Sequence, residues 1–372
     1  MIYQEDDALS SVTYTSDDYI YQNSFLTEDG TYFLLYNADI GNMTGRTDIS
    51  GDFETDLYTE IAPKDATDFY SANYLKAYDV VDQIDVGNYI DVPAFGSADI
   101  KNYSFCGIKK QDGDYYSADF TPPLHTSTSY EDDLSLSFDL TESASYVIIA
   151  TGICRSNNTS RNMGTKIVIN GSSYSEMISR DVTAGVGRPY GMIERVTLNA
   201  GTNTIKFQVK NYLTNQLVQL IASKIIAIKE TNLGNIITAS DSSTSTTTSA
   251  SYTNKLNLTD SADNKRYLIL SSAVGSIAST TQSIGIRTTV NGVTIGETLN
   301  EGIVTFGGNN EVSHFSMRVM TLVDSIDANI DFYSSSGATA SLSDCIILAI
   351  PLSEDKVSIL GKTKILGKTS IL

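Results

Sequence analysis

The chain has no tryptophan, six prolines, two histidines and three cysteines in 372 residues. Each shortage excludes something. An odd, sparse set of cysteines is no disulfide framework. Cys106 and Cys345 lie in apolar runs near the ends of what read as equivalent segments, and are expected to be buried small hydrophobes; Cys154 shows no metal-ligand or nucleophile pattern. His125 and His314 each lack a second histidine at metal spacing, and ordinary surface or packing roles are expected for both. No apolar run approaches the ~18 residues that cross a bilayer, so no membrane insertion is expected. Basic clusters are missing too. The formal net charge is −19, with 22 of the 44 acidic residues before residue 116, which argues against nucleic acid and anionic membrane surfaces.

Motifs of chemistry are equally scarce. The chain contains no Gly-x-Ser-x-Gly elbow. Gly185-Val186-Gly187 is followed by no Lys-Ser/Thr and is no phosphate loop. Asp112-Gly113-Asp114 resembles the start of a calcium loop but lacks the later ligands, and reads as a turn. Carboxylates are abundant, but a glycosidase-type pair requires a spatial separation that no sequence gives. No catalytic residue, cofactor or metal site is expected. The start, Met1 to Asp7, has neither a basic n-region nor an apolar h-region, so the expectation is either synthesis in a host cytoplasm without a signal peptide or a chain in its mature form.

What the chain does have is Thr, Ser, Tyr, Val and Ile, the composition of strands. One phrase recurs three times. Leu26-Thr27-Glu28-Asp29-Gly30-Thr31-Tyr32 runs into Phe33-Leu34-Leu35-Tyr36. Leu140-Thr141-Glu142-Ser143-Ala144-Ser145-Tyr146 runs into Val147-Ile148-Ile149-Ala150, and Leu258-Thr259-Asp260 leads to Tyr267-Leu268-Ile269-Leu270. The tyrosines are 114 and 121 residues apart, and three closing isoleucines, Ile108, Ile228 and Ile350, are 120 and 122 apart. Between them Asn170-Gly171 and Asn291-Gly292 mark hairpins, because both residue types accept positive φ. Leu134, Leu136, Phe138 and Leu140 alternate with polar residues, the period of a half-buried strand. Ile330-Asp331-Phe332 is matched with Ile205-Lys206-Phe207, and Ala62 to Ala72 reads as a short helical turn.

The expected fold is all-β: three tandem jelly-roll-like antiparallel β-sandwich domains with extended N- and C-terminal arms. The expected division is an acidic arm at 1–20, repeats at 21–116 and 117–231, a Ser/Thr-rich linker or edge strand at 232–251, a third repeat at 252–353, and a tail at 354–372. That tail repeats Ile-Leu-Gly-Lys-Thr-x. Its apolar pairs, Ile359-Leu360, Ile365-Leu366 and Ile371-Leu372, suit no amphipathic helix and would aggregate if left bare, so they are read as assembly residues.

With its Met1 start, its Ser/Thr/Asn-rich β-repeats and Leu198-Asn199-Ala200-Gly201-Thr202-Asn203-Thr204-Ile205-Lys206-Phe207, the chain resembles virion structural proteins of tailed bacteriophages. The last phrase looks like the turn and strand of jelly-roll modules. The resemblance implies a non-enzymatic subunit on the particle exterior (head decoration, fibre or tail component) packed against other virion proteins and copies of itself. The alternative is a glycan-binding adhesin for a host-surface sugar, using the polar loop from Gly152 to Asn162 or the Tyr-rich first repeat.

Overall fold

A computed structural model describes residues 2–6, 12–14, 18–26, 30–44, 47–52, 58–61, 69–80, 83–91, 97–118, 123–157, 161–181, 188–214, 216–279, 282–301, 310–335 and 337–352. The described residues are all-β apart from one 3-10 turn at Glu230–Asn232. The first strands in chain order are β1 (Ile2–Asp6), β2 (Val12–Tyr14), β3 (Asp18–Leu26), β4 (Gly30–Thr44), β5 (Thr47–Asp52), β6 (Tyr58–Ile61), β7 (Phe69–Val80), β8 (Gln83–Asp91) and β9 (Ser97–Lys109). Then come β10 (Tyr115–Ala118), β11 (Glu131–Leu140), β12 (Ala144–Ser156), β13 (Arg161–Ile169), β14 (Ser172–Asp181), β15 (Arg188–Leu198), β16 (Gly201–Asn211) and β17 (Val218–Lys229). The last are β18 (Ile237–Asp241), β19 (Ser245–Thr247), β20 (Thr253–Ile277), β21 (Ser283–Val290), β22 (Val293–Glu301), β23 (Asn310–Ser334) and β24 (Ala340–Pro351).

The pairing repeats one order three times. In the middle of the chain the sheets run β10-β17-β12-β15 and β11-β16-β13-β14. Numbered along the chain, that is first-eighth-third-sixth and second-seventh-fourth-fifth, the double Greek key of a jelly roll. The earlier strands give β1-β9-β4-β7, with β2 also on β9, and β3-β8-β5-β6. The later strands give the same order with two strands doing double duty. The first part of β20, from Thr253 to Ala262, pairs with Asp324–Phe332 of β23, and the remainder pairs with Asn310–Leu322. The long strands pass from one sheet to the other near Asn264 (φ 53°) and Asp324 (φ 65°), conformations that let a β-strand turn a corner. We refer to these three sets as units.

Two expectations are corrected by the pairing. Residues 1–20 are no free arm: β1 and β2 both pair with β9, and β3 begins at Asp18. A jelly roll's last strand needs its first beside it, otherwise it presents an open edge. Likewise β10, which spans the expected boundary at 116, pairs with β17; β18 and β19 pair with β24 at the sheet's end, in line with the edge-strand reading of 232–251. Of the expected helical turn, residues 62–68 lie outside the described residues, and Phe69–Ala72 opens β7 as a strand. The register aligns Phe207 with Ile330 and Val209 with Phe332, a slip of two from the sequence match. A slip of two leaves every side chain on the same face, so the alternation could not reveal it.

The recurrent phrase lies where the three units meet. Phe33 pairs with Ile108, Val147 with Ile228, and Leu268 with Ile350, so each residue after a leading tyrosine faces a closing isoleucine. These six, with Leu35, Ile149, Leu270 and others from all three units, form one buried cluster. Their neighbours point the other way. Tyr146 and Ile148 enter the core of the second unit, and Tyr267 and Ile269 that of the third. These strands are buried on both faces, and so they read as unbroken apolar runs where β11 alternates. Each fully buried aliphatic side chain contributes about 1.5–3 kcal/mol, and the shared cluster is comparable in size to either unit's own core. The units are therefore fused at a common centre, where sequence suggested separate beads.

The Asn-Gly hairpins form as expected. Asn170 and Gly171 have φ of 49° and 85°, and Asn291 and Gly292 have 48° and 79°. Both asparagines also bond the neighbouring strand: the Thr204 and Asp327 amides each donate to an Asn Oδ1 at 2.8 Å.

Candidate functional site

Between β10 and β11 the chain crosses the end of the second unit as a strap, described from residue 123 to 130. The strap is held at His125. Its amide donates to the Val218 carbonyl at 2.9 Å, and the Val218 amide returns a bond at 3.0 Å. Asn211 Nδ2 donates to the His125 carbonyl at 2.8 Å. The imidazole is buried and lies between two carboxylates. Nδ1 is 3.2 Å from Glu131 Oε2, and Nε2 is 3.0 Å from Asp133 Oδ1. The Asp133 side chain is 0% exposed, and its other oxygen accepts the Ser223 hydroxyl at 3.0 Å.

A β-bulge puts Asp133 there. The pairing of β11 with β16 steps from Asp132 to Leu134, leaving Asp133 as the extra residue. A neutral imidazole carries one N–H, so only the imidazolium can donate to both acids. The bond to Asp133 accordingly raises the His125 pKa above its ordinary 6.5, with Glu131 helping and burial opposing. The order Ser223–Asp133–His125–Glu131 is not that of a hydrolytic triad, in which histidine stands between nucleophile and acid. The two ring nitrogens face different carboxylates, so these groups do not converge on one point. Among the described residues no group of three or more His, Cys, Asp or Glu side chains is arranged to hold a metal.

The third unit has the counterpart. Counting from the leading tyrosines (146 to 156, 267 to 277), Ser156 and Ile277 pair with Val218 and Ala340, and these pair with His125 and Thr247. Thr247 thus replaces His125. Thr253, opposite Phe332 as Glu131 is opposite Val209, replaces the glutamate, and the two threonine hydroxyls are 3.3 Å apart. The bulge recurs between Asn254 and Leu256, and its extra residue is Lys255, 1% exposed. Lys255 Nζ donates to Asp241 Oδ2 at 2.6 Å and to Ser243 Oγ at 3.1 Å. The Lys255 bond first, and then the Ser243 hydroxyl and amide donating to Asp241 Oδ1, push the Asp241 pKa down to about 2. The buried charge at the bulge is negative in one unit and positive in the other.

Both straps end in a second fastening. Tyr130 donates to Glu176 Oε1 at 2.6 Å with Lys166 Nζ 4.1 Å from its ring centroid; Tyr252 donates to Glu297 Oε1 at 2.7 Å with Arg287 3.9 Å from its ring. Gly164 makes room: a Cβ there would lie 2.6 Å from the Tyr130 hydroxyl. The cations sit over the ring faces that a sugar would need for stacking. Sequence reasoning missed this group, although a signal was present: Lys166 and Arg287 precede their Asn-Gly turns by four residues, and Glu176 and Glu297 follow by six.

The other candidates are internal. His314 is wholly buried between Thr288 Oγ1 and Thr298 Oγ1, each at 2.9 Å, and burial lowers its pKa to about 4, so it stays neutral. Cys106, Cys154 and Cys345 are buried and in no disulfide, but Cys106 belongs to the shared centre and Cys345 to the third unit's core, so Cys106 and Cys345 are not equivalents. Asp114 is the buried hub of the turn between the first two units, accepting from the Gln111 and Lys229 amides and from Asn232 Nδ2. Where the second and third units touch, Glu311 accepts the Ile178 amide at 2.5 Å, and Ser313 and Ser272 bond the edge of β15 at Gly191 and Ile193. Burial raises Glu194 and Glu311 in this seam to about 7, with Asp344 adding to both. The proposed assembly residues Ile359, Leu360, Ile365, Leu366, Ile371 and Leu372 lie outside the described residues. Among the described residues no helix is long and apolar enough to cross a membrane.

No protein-family model matches the chain, and no curated protein matches it. Similar solved structures include dimeric latent PorU from Porphyromonas gingivalis, at 8% identity and TM-score 0.25 over 80% of this chain; the chain spans 32% of that protein. PNGF-II is similar at 10% identity and TM-score 0.28, over 88% of this chain and 99% of that one. A protein described with the triple jelly roll fold and turret assembly of an archaeal virus is similar at 12% identity and TM-score 0.22, over 94% of this chain and 89% of that one. At these scores the likeness carries no argument about function.

Proposed function

We propose that the protein is a non-enzymatic structural subunit on the exterior of a tailed-phage particle, as head decoration, fibre or tail component. It would act by packing against other virion proteins and its own copies. The observation that carries this reading is the shared centre. Three jelly-roll units with boundaries near 110–114 and 230–236 bury both faces of their central strands against one another. In such a chain His314 and the three thiols are taken up by internal packing. In the same reading the hexad tail after Leu352 is the attachment element.

The test is particle purification. The protein should remain with virions through density banding, at hundreds of copies for head decoration or about a dozen or fewer for a tail part. Absence from particles overturns the reading. Deleting residues 354–372 should leave cooperative unfolding intact and abolish incorporation; normal incorporation of the truncated chain would remove the tail from the proposal while leaving the rest. Specific, saturable binding on a glycan array would move the assignment to an adhesin.

A further inference from the structure

The strap of the second unit is fastened by an arrangement that is complete only when the imidazole carries both protons. Both ring nitrogens of His125 face carboxylate oxygens, at 3.2 and 3.0 Å. If the imidazole loses a proton, one nitrogen presents a lone pair to an acid. Asp133 cannot turn away to water, because its side chain is fully buried and its second oxygen is held by Ser223.

We propose that residues 123–130 form a proton-operated clasp, closed in mild acid and loosened in alkali. The groups around the imidazole define it. From β11 come Glu131 and Asp133, the only titratable groups among the described residues that act on His125. From β17 comes the Ser223 hydroxyl, while the neighbouring Lys224 turns its Nζ toward the Ala222 carbonyl at 3.5 Å. From β16 comes the Asn211 amide, which holds the strap's backbone.

A second observation says that the closed strap has little stability to spare. Among the described residues, two buried oxygens beside it, Asn211 Oδ1 and Gln216 Oε1, meet no donor. A buried acceptor without a partner is costly, and opening the strap would let water reach both. The sign follows from the raised pKa of His125. The clasp's contribution is fully present below the unfolded value near 6.5 and is lost as pH rises through the higher folded value. The seam carboxylates Glu194 and Glu311 also favour acid, but they lie between units and act on the whole molecule, so a local readout separates the two.

The experiment is amide hydrogen exchange on the full chain from about pH 6 to about pH 9, corrected for the intrinsic rate. Opening of the strap around His125 and Val218 is divided by opening of the matching strap around Thr247 and Ala340, whose Thr247–Thr253 contact is uncharged. The ratio should rise with pH, by at most about tenfold per unit for a one-proton clasp. In the double variant His125→Gln with Asp133→Asn, which removes the titrating imidazole together with its buried counter-charge, it should stay flat. A flat ratio in the wild-type chain, or an equal rise in the double variant, overturns the proposal. Should the variant fail to fold, the wild-type ratio decides, together with the His125 imidazole titration: a midpoint at or below 6.5 overturns the clasp.

Discussion

The second and third units use one bulge at one strand position and fill it with opposite charges. Asp133 is countered by His125 from the strap, and Lys255 by Asp241 from β18. Neither counter-group could serve in the other unit. The comparison shows what the fold fixes and what it leaves free. It fixes an inward-facing residue at the bulge and a segment passing beside it. The sign of the charge is free, provided the partner changes with it. The two fastenings consequently fail at opposite ends of the pH scale. Asp241, with its pKa lowered to about 2, stabilises the fold above its unfolded value near 3.8, and that contribution is lost only as pH falls through about 2. The His125 contribution fades on the alkaline side. Both are complete only in mild acid.

The largest expected effect breaks the third unit's side. Asp241→Ala leaves Lys255 buried with Ser243 as its remaining acceptor. The loss should be about 2–3 kcal/mol, below the ~3–5 kcal/mol of a fully sealed pair because Asp241 is partly exposed. Adding Lys255→Met should recover most of it, since an apolar side chain of similar length needs no partner. Denaturant unfolding of the two variants measures both; failure of Lys255→Met to recover stability would show that the bulge requires a charge.

The matching change in the second unit is smaller. Asp133→Asn keeps the shape and leaves a carbonyl to accept from His125, so about 1–2 kcal/mol should be lost at pH 6 and much less at pH 9. The His125 titration midpoint should fall, because its largest raising influence is gone. A midpoint unchanged in the variant would mean that Glu131 alone sets it. The wild-type chain should itself lose thermal stability between about pH 5 and about pH 9. The Glu194 and Glu311 part, with both pKa values raised from 4.5 to about 7, is full below 4.5 and is lost as pH rises through about 7, and the clasp part is lost above 6.5.

Much of the architecture was legible because burial on both faces writes itself into a strand. Tyr146-Val147-Ile148-Ile149-Ala150 is apolar at every position, and its copies fall on β4 and β20, the strands that take the same place as β12 in the pairing order. That the alternate residues meet at one centre was not legible, since an apolar run does not say what covers its second face. The clasp was less legible still. His125 follows two prolines in a loop, and its partners come from a bulge, which adds a residue without altering the apolar pattern that flanks it. Repeats are found through likeness, and here the equivalent positions hold His and Thr, Glu and Thr, Asp and Lys.

The smallest expected effect tests whether the third strap is the neutral reference it is taken to be. Thr253→Val removes one hydroxyl of the Thr247–Thr253 contact, at 3.3 Å and exposed, while keeping a β-branched side chain at a strand position. Water replaces the lost partner at an exposed site, so the change should stay below about 0.5 kcal/mol and be the same at pH 6 and pH 9. Urea midpoints at the two pH values settle it. A pH-dependent loss would mean that a titrating group reaches this strap as well, most directly through Lys255 and Asp241 one strand position away. The contrast between an ionic clasp and a hydroxyl clasp would then have to be drawn between two ionic clasps of opposite sign.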